Sequence, residues 1–150
     1  LKKFLILFIF IFTTNTVHAE LSKPNKELKP YDVVKIQLEA LKNNDEKDNG
    51  IKQTWIFAHP DNKKITGPLE KFKKMIYSKN YKMLIKHENS EITILSENSN
   101  TSIYKVYILS SDKKKYSYIW QVEKVLKEGA LKNCWMTTSV SNPEFLGEVI

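Results

Sequence analysis

Three runs of aromatic and β-branched residues in the second half of the chain limit most strongly what it can fold into. They cover residues 104–109, 116–125 and 134–140 and are separated by short polar stretches typical of turns. Within the middle run, two sets of side chains alternate: Tyr116, Tyr118, Trp120 and Val122 against Ser117, Ile119, Gln121 and Glu123. A period of two predicts a strand with one aromatic face and one mixed face. We therefore predict an antiparallel sheet against which the upstream residues pack.

Upstream of these runs, apolar side chains recur at helical spacing in three stretches. We predict helices over residues 31–43 and 51–58, and a third that opens at Pro68, because proline suits the first turn of a helix. The second helix should end at His59, since a residue that precedes a proline is pushed out of helical geometry. Helices followed by strands indicate the α+β class.

The remaining segments define one domain with two flanking pieces. Residues 81–85 should be extended and lead to a short strand over residues 91–95. Residues 20–29 are polar and lysine-rich without an apolar period, which predicts a solvated leader. We expect the tail over residues 141–150 to run free of the sheet or to pack late. The single domain then covers residues 30–140, a size that suits one hydrophobic core.

The N-terminal residues have the composition of a secretory signal peptide. Lys2 and Lys3 precede an apolar run over residues 4–12, and a polar segment follows it up to Ala19. The run is too short to cross a bilayer, which takes roughly 20 residues. We expect cleavage after Ala19 and export to the periplasm or the medium, and the alternative is an uncleaved anchor. No stable membrane anchor would remain after cleavage.

The charge pattern disfavours nucleic acids as partners. The formal net charge is +7, yet every Lys+Arg position in the chain is a lysine. Arginine makes most of the planar, bidentate contacts that recognise phosphates and guanine. We therefore predict no nucleic-acid partner.

The chain has a single cysteine, Cys134, which excludes an internal disulfide. Its neighbours Trp135 and Met136 belong to the same apolar run, so we interpret Cys134 as a small buried hydrophobic residue. A reactive thiol and an intermolecular bridge are the alternatives.

No pattern of residues in the chain matches a known catalytic motif. The two histidines after residue 19 are His59, at a helix end, and His87, in a polar stretch, and we expect a turn or surface role for each. Neither has the spacing to other ligands that zinc sites show, so we predict no metal and no cofactor. If the protein were an acid-base enzyme, His59 or Asp61 would be the candidate base.

Aromatic side chains are the best candidates for a binding pocket. The residues that would line it are Trp55, Phe72, Tyr81, Tyr118, Trp120, Cys134 and Trp135. Hydroxyls and an indole N–H among apolar rings suit a small apolar or amphipathic ligand with one or two polar groups. The alternative is that these side chains form an ordinary filled core.

Several short blocks resemble a bacterial and plant family known as domain of unknown function 4864. The blocks, in order, are VVKIQLEAL (33–41), GI (50–51), WIFA (55–58), TGPLEKF (66–72), YKML (81–84) and NCWMT (133–137). The chain departs from the family's pattern at His59, where a small residue is expected, and at Asn133, where a glycine is expected. The resemblance implies the cone-shaped fold of the NTF2-like, or cystatin-like, superfamily, with N-terminal helices packed on a curved antiparallel sheet. It implies no activity.

These observations favour a non-catalytic module that binds a small ligand or a protein. One alternative is a pocket enzyme of the isomerase or hydro-lyase type, by analogy with superfamily members such as ketosteroid isomerase. The other is a structural homodimer or assembly factor. Superfamily members pair through the outer face of the sheet, where an exposed apolar residue such as Ile119 would mark the contact.

Overall fold

A computed structural model describes residues 20–149 of the chain, and the predicted signal peptide lies outside the described residues. The helices are α1 (Pro30–Lys42), α2 (Asn49–Ile56), α3 (Pro60–Thr66), α4 (Leu69–Ile76) and a short 3-10 helix (Lys82–Leu84). The strands are β1 (Asn89–Glu97), β2 (Thr101–Leu109), β3 (Lys114–Lys124), β4 (Trp135–Val140) and β5 (Glu144–Glu148). All helices precede all strands, so the predicted α+β class is confirmed.

Helix α1 has a well-defined start and one buried face. Pro30 occupies its first turn, and the carboxylate of Asp32 accepts a hydrogen bond from the backbone N–H of Lys29 at 2.9 Å. This contact satisfies one of the N–H groups that a helix start leaves without a partner. The buried stripe of the helix consists of Val33, Val34, Gln37, Leu38 and Leu41. One member of that stripe, Gln37, is polar.

Helix α2 packs unusually close to α1. A Cβ atom at Gly50 would overlap the carbonyl oxygen of Ala40, so only glycine permits this approach. The side chain of Asn44 holds the start of α2, where its Oδ1 accepts from the backbone N–H of Ile51 at 3.1 Å. The close approach at Gly50 and the Asn44 hydrogen bond therefore hold α2 against α1.

The described residues form four α-helices, one more than the three predicted from the sequence. Helix α2 does end before Pro60, but Pro60 is also the first residue of α3. The ring of His59 caps that helix, with Nδ1 accepting from the backbone N–H of Asp61 at 3.1 Å. A proline that stops one helix can thus start the next, because its missing N–H would have no partner in the first turn.

The five strands form one antiparallel sheet in the order β1-β2-β3-β4, and β5 also pairs with β3. Strand β4 lies beside residues 120–124 of β3, and β5 lies beside residues 114–117. Together β4 and β5 act as one edge strand that is interrupted at residues 141–143. At the interruption, Ser141 exchanges two hydrogen bonds with Ile119, at 2.8 and 2.9 Å.

Two expectations for the connecting and terminal segments are wrong. The tail does not run free of the sheet, because it forms β5, and the alternative that it packs late stays a prediction. Residues 82–84 form a 3-10 helix rather than an extended segment. The predicted solvated leader has no buried residue, although the backbone of Ser22 makes two hydrogen bonds with the side chain of Gln53, at 2.7 and 2.9 Å, and Leu28 packs on the core.

The two faces of β3 differ as the alternation predicted. Tyr118, Trp120 and Val122 are buried in the main core between the helices and the sheet. On the opposite face, Ile119 is 39% exposed. The homodimer that this residue was expected to mark stays a prediction.

Candidate ligand-binding cavity

A cavity of about 230 Å³ lies between the helices and strand β4. Every helix contributes to its wall, and the sheet contributes through β3 and β4. The described residues that line it are Gln37, Leu41, Thr54, Ala58, Asn62, Ile65, Thr66, Phe72, Met75, Ile76, Tyr81, Leu84, Trp120, Thr137, Thr138, Ser139 and Val140. An apolar cavity of about 150 Å³ can hold benzene, so this one has room for a slightly larger molecule.

The lining contains no charged side chain among the residues that the structure describes. Tyr81 is the one titratable group, and burial raises the pKa of its hydroxyl. Tyr81 is therefore neutral at physiological pH and donates a hydrogen bond to the backbone carbonyl of Val140 at 3.1 Å. A charged ligand would find no opposite charge in this wall, and a buried charge without a partner is costly.

Gln37 is the centre of a buried hydrogen-bond network on the cavity wall. Its Oε1 accepts from the Thr137 hydroxyl at 2.5 Å and from the Trp120 indole N–H at 3.1 Å. Its Nε2 donates to the backbone carbonyl of Thr54 at 3.0 Å. Gln37 is only 1% exposed, so these bonds replace those that it would make with water. The network ties α1, α2, β3 and β4 together around the cavity.

The link between α2 and α3 fixes the position of Thr137 in this network. Ala58 and Thr137 form an isolated parallel bridge. The N–H of Thr137 donates to Phe57 at 2.9 Å, and the N–H of His59 donates to Thr137 at 2.8 Å. The Asn62 side chain adds a bond to the same Thr137 carbonyl at 3.1 Å. Helices α2 and α3 are thus joined to the sheet by backbone groups at the cavity wall.

Two exposed residues mark where the cavity opens. Ile65 is 73% exposed although it contributes to the lining. Ser139, on β4, is exposed as well. The mouth therefore lies between the end of α3 and strand β4.

Three of the predicted pocket residues line the cavity: Phe72, Tyr81 and Trp120. Two others form a second layer behind them. The ring of Trp55 packs on that of Phe72 with centroids 5.0 Å apart, and the ring of Tyr118 stacks on that of Tyr81 at 6.3 Å.

The last two predicted pocket residues lie elsewhere. Cys134 is 1% exposed and belongs to a separate small cluster with Val125 and Met136. Its interpretation as a small buried hydrophobic residue agrees with this placement. Trp135 lies under the Lys124 ammonium group, whose Nζ is 5.1 Å from the ring centroid.

His59 and Asp61, the candidate bases, do not line the cavity. They border a second, open depression of about 660 Å³, here called the charged groove. Its charged residues are Asp61, Lys64, Glu123, Lys124, Lys127 and Glu128. His59 uses its Nδ1 to cap α3, and the side chain of Asp61 is 68% exposed and pairs with Lys64 at 2.6 Å.

His87 does not have a surface role, which was one of the two roles expected for it. It is 2% exposed, and its Nδ1 lies 2.8 Å from the carbonyl oxygen of Leu84. A carbonyl can only accept, so Nδ1 carries the proton of the neutral ring, which leaves the buried Nε2 without a partner. Burial lowers the pKa of His87, and the Lys42 charge lowers it further against the effect of the Leu84 carbonyl.

Three polar residues of the wall were not predicted from the sequence: Gln37, Thr54 and Thr137. A signal for two of them was present. Gln37 falls on the apolar stripe of α1, three residues after Val34, and Thr54 falls three residues after the buried Ile51. A polar residue at a buried helical position must find a partner inside the protein, and that need marks a network.

Two further properties concern the described residues 20–149. They contain no group of three or more His, Cys, Asp or Glu side chains that are placed to hold a metal ion. None of their helices is both long and apolar enough to cross a membrane.

The chain is thus an α+β protein whose helices pack on one face of the sheet. Its internal cavity has no charged side chain among the described lining residues. The model of one family, described as "Domain of unknown function (DUF4864)", matches residues 23–140. The chain therefore belongs to this family. A search of curated proteins and a search of solved structures each found no match.

Proposed function

We propose that this chain is an exported, non-catalytic binding protein whose cavity holds a small, uncharged and mostly apolar molecule. The observation that carries the proposal is the lining itself: apolar side chains surround a few polar groups, and no charged side chain is among the lining residues described. Ligand sites commonly combine an apolar wall with a small number of placed polar groups. The composition of residues 1–19 supports export.

We further infer that the fold is the cone-shaped NTF2-like, or cystatin-like, type. The support is the order of elements, the packing of the helices against one face of the antiparallel sheet, and a cavity enclosed between them. The interrupted edge formed by β4 and β5 allows the sheet to bend around that cavity.

The chemistry of the lining supports binding rather than catalysis. General acid-base catalysis works best when the group that moves the proton has a pKa near the working pH. The one titratable group of the lining, Tyr81, has a pKa raised further from neutrality by burial. His59 and Asp61 lie outside the cavity in the charged groove, where the one caps a helix and the other faces solvent.

Native mass spectrometry of protein purified gently from a periplasm tests the proposal. We expect a bound neutral small molecule that is lost on denaturation. The Thr66→Phe variant, which places a ring in the cavity, should lose it, whereas Thr93→Phe on the exposed face of β1 should retain it. A bare protein that toluene and phenol also fail to stabilise against heat would contradict the proposal. A bare dimer would favour the assembly role instead.

A further inference from the structure

The polar groups of the cavity wall are not balanced between donors and acceptors. Six hydroxyl groups belong to lining residues: Thr54, Thr66, Tyr81, Thr137, Thr138 and Ser139. A hydroxyl has one proton to donate and lone pairs that can accept. If the hydroxyl already donates its proton to another group of the protein, only its oxygen remains, as an acceptor for a ligand.

Two threonines of the wall direct their protons back into their own helices. The Thr54 hydroxyl donates to the carbonyl of Gly50, and the Thr66 hydroxyl donates to the carbonyl of Asn62, each at 2.9 Å. Both partners lie four residues earlier, which is the common back-bonding pattern of threonine in helices. The oxygens of both hydroxyls remain in the wall as acceptors.

Three more hydroxyls of the wall have donated their protons across elements. Tyr81 donates to the Val140 carbonyl at 3.1 Å, and Thr137 donates to Gln37 Oε1 at 2.5 Å. Thr138 donates to the Gln121 carbonyl at 3.3 Å. The sixth hydroxyl, on Ser139, belongs to an exposed residue at the mouth.

The nitrogen donors of the wall are also largely committed. The indole N–H of Trp120 is shared between Gln37 Oε1 and Thr137 Oγ1, both at 3.1 Å. The amides of Gln37 and Asn62 each place one hydrogen on a backbone carbonyl. Among the described lining residues, the donors left are the second hydrogen of each amide and the Ser139 hydroxyl at the mouth. Against them stand the hydroxyl oxygens of Thr54, Thr66, Tyr81 and Thr138, which accept no hydrogen bond, and that of Thr137, which accepts only the shared Trp120 N–H. The wall therefore offers mainly acceptors.

We propose that the cavity selects ligands that donate a hydrogen bond from a neutral group, such as the hydroxyl of a small alcohol or phenol. This inference rests on the proposed binding function and names its ligand class. An ammonium donor is disfavoured because the described lining has no carboxylate to balance a buried positive charge. A ligand that can only accept, such as an ether or a ketone, would place its oxygen against the acceptors of the wall.

Calorimetric titration of the purified protein with phenol, anisole and toluene tests the inference. The three rings are of similar size, but phenol alone donates a hydrogen bond, and anisole keeps the oxygen without the proton. The readout is the ratio of phenol affinity to anisole affinity, compared between the native protein and variants. The cost of taking each compound out of water is the same for every protein variant. It therefore cancels when the ratios of native and variant proteins are compared.

The Thr54→Val/Thr66→Val double variant removes two acceptor oxygens while side-chain volume stays nearly constant. The freed carbonyls of Gly50 and Asn62 remain inside helical turns, so no new acceptor is created. We expect the phenol-to-anisole ratio to fall about two- to tenfold, the worth of a typical hydrogen bond. The Thr93→Val variant on exposed β1 should leave it unchanged. If the double variant does not fold, Thr66→Val alone, at a half-buried position, gives the same readout.

The outcomes separate the two proposals. If all three compounds bind but the ratio is the same in native and variant proteins, the donor preference is overturned and the binding function stands. If none of the three binds at millimolar concentration, both are overturned. A lower ratio in the double variant, with toluene affinity unchanged, supports both.

Discussion

The enclosed cavity and the charged groove lie on either side of the same few residues, yet they are built differently. The cavity side of the α2–α3 link faces an uncharged wall in which the protein satisfies its own donors. On the groove side, three lysines and three acids surround a wider and more open depression. His59 stands beside both, with its backbone bonded to the cavity residue Thr137 and its ring at the groove.

The two regions differ in the burial of their polar groups as well as in their residue types. In the groove, water screens each charge, and ion pairs between exposed groups contribute little. In the cavity wall, the polar groups of Gln37, Thr54 and Thr137 are buried and hydrogen-bonded within the protein, so their geometry is fixed. A site with fixed geometry can discriminate between ligands, whereas a solvated groove has little to fix a small molecule in place.

The largest expected effect concerns the tryptophan of the cavity wall. Trp120→Ala should lower the free energy of unfolding by about 3–5 kcal/mol, because it removes a fully buried side chain from the core. The matched change at the groove is Leu126→Ala, at an exposed position, which should cost no more than about 0.5 kcal/mol. Urea denaturation measures both. Equal losses would mean that the two regions do not differ in packing.

A smaller loss of stability is expected when a threonine hydroxyl is removed from the cavity wall or from the groove. Thr137→Val removes a proton that the buried Gln37 accepts and should cost about 1 kcal/mol. Thr101→Val in the groove removes only a weak contact with Glu123 at 3.4 Å, and its cost should be too small to resolve. A Thr137→Val protein as stable as the parent would show that the network around Gln37 contributes nothing.

The buried histidine His87 leads to a prediction about the pH dependence of stability. Since burial lowers the pKa of His87 in the folded protein, the unfolded chain binds a proton there at a higher pH than the folded one. Stability should therefore fall as the pH drops below about 6.5, the ordinary histidine pKa. His87→Leu should lose less stability than the parent between pH 7 and pH 5 in thermal unfolding. An unchanged loss would place the acid sensitivity in other groups.

The smallest effect is expected from the charges of the groove. Lys127→Gln should leave both stability and phenol affinity within experimental error, because its charge is solvated and lies outside the cavity. Calorimetric titration of the variant beside the native protein is the measurement. A clear loss of phenol affinity would show that the groove takes part in binding.

Much of the fold could be predicted because the spacing of apolar residues along the chain indicates which side chains are buried. The alternation in residues 116–123 predicted which face of β3 is buried, and the apolar spacing placed α1 almost to the residue. The backbone at Asn133 explains one departure from the family's pattern. A glycine is expected there from the family resemblance, and the residue has a positive φ of 66°, a conformation that asparagine tolerates better than most residues.

The wrong or missing predictions concern segments in which long-range contacts override local conformational preference. Helix α3 has no buried residue, so its sequence has no apolar stripe from which it could be predicted. A capping histidine and a proline define its start. Strand β5 depends on its pairing with β3, which local sequence does not encode. The polar wall of the cavity was missed for a similar reason. Gln37 and Thr137 are 100 residues apart, and only the packing of α1 on β4 brings them together.

The three indole N–H groups of the protein provide the most direct test of the account, because two of them report on different regions. Trp120 lines the cavity, whereas Trp135 lies under Lys124 and is not among the lining residues. A ¹H–¹⁵N correlation spectrum recorded during a phenol titration should show the Trp120 indole signal moving progressively while the Trp135 signal stays in place. Movement of Trp135 with Trp120 unchanged, or no movement of either, would contradict the claim that the uncharged cavity is the binding site.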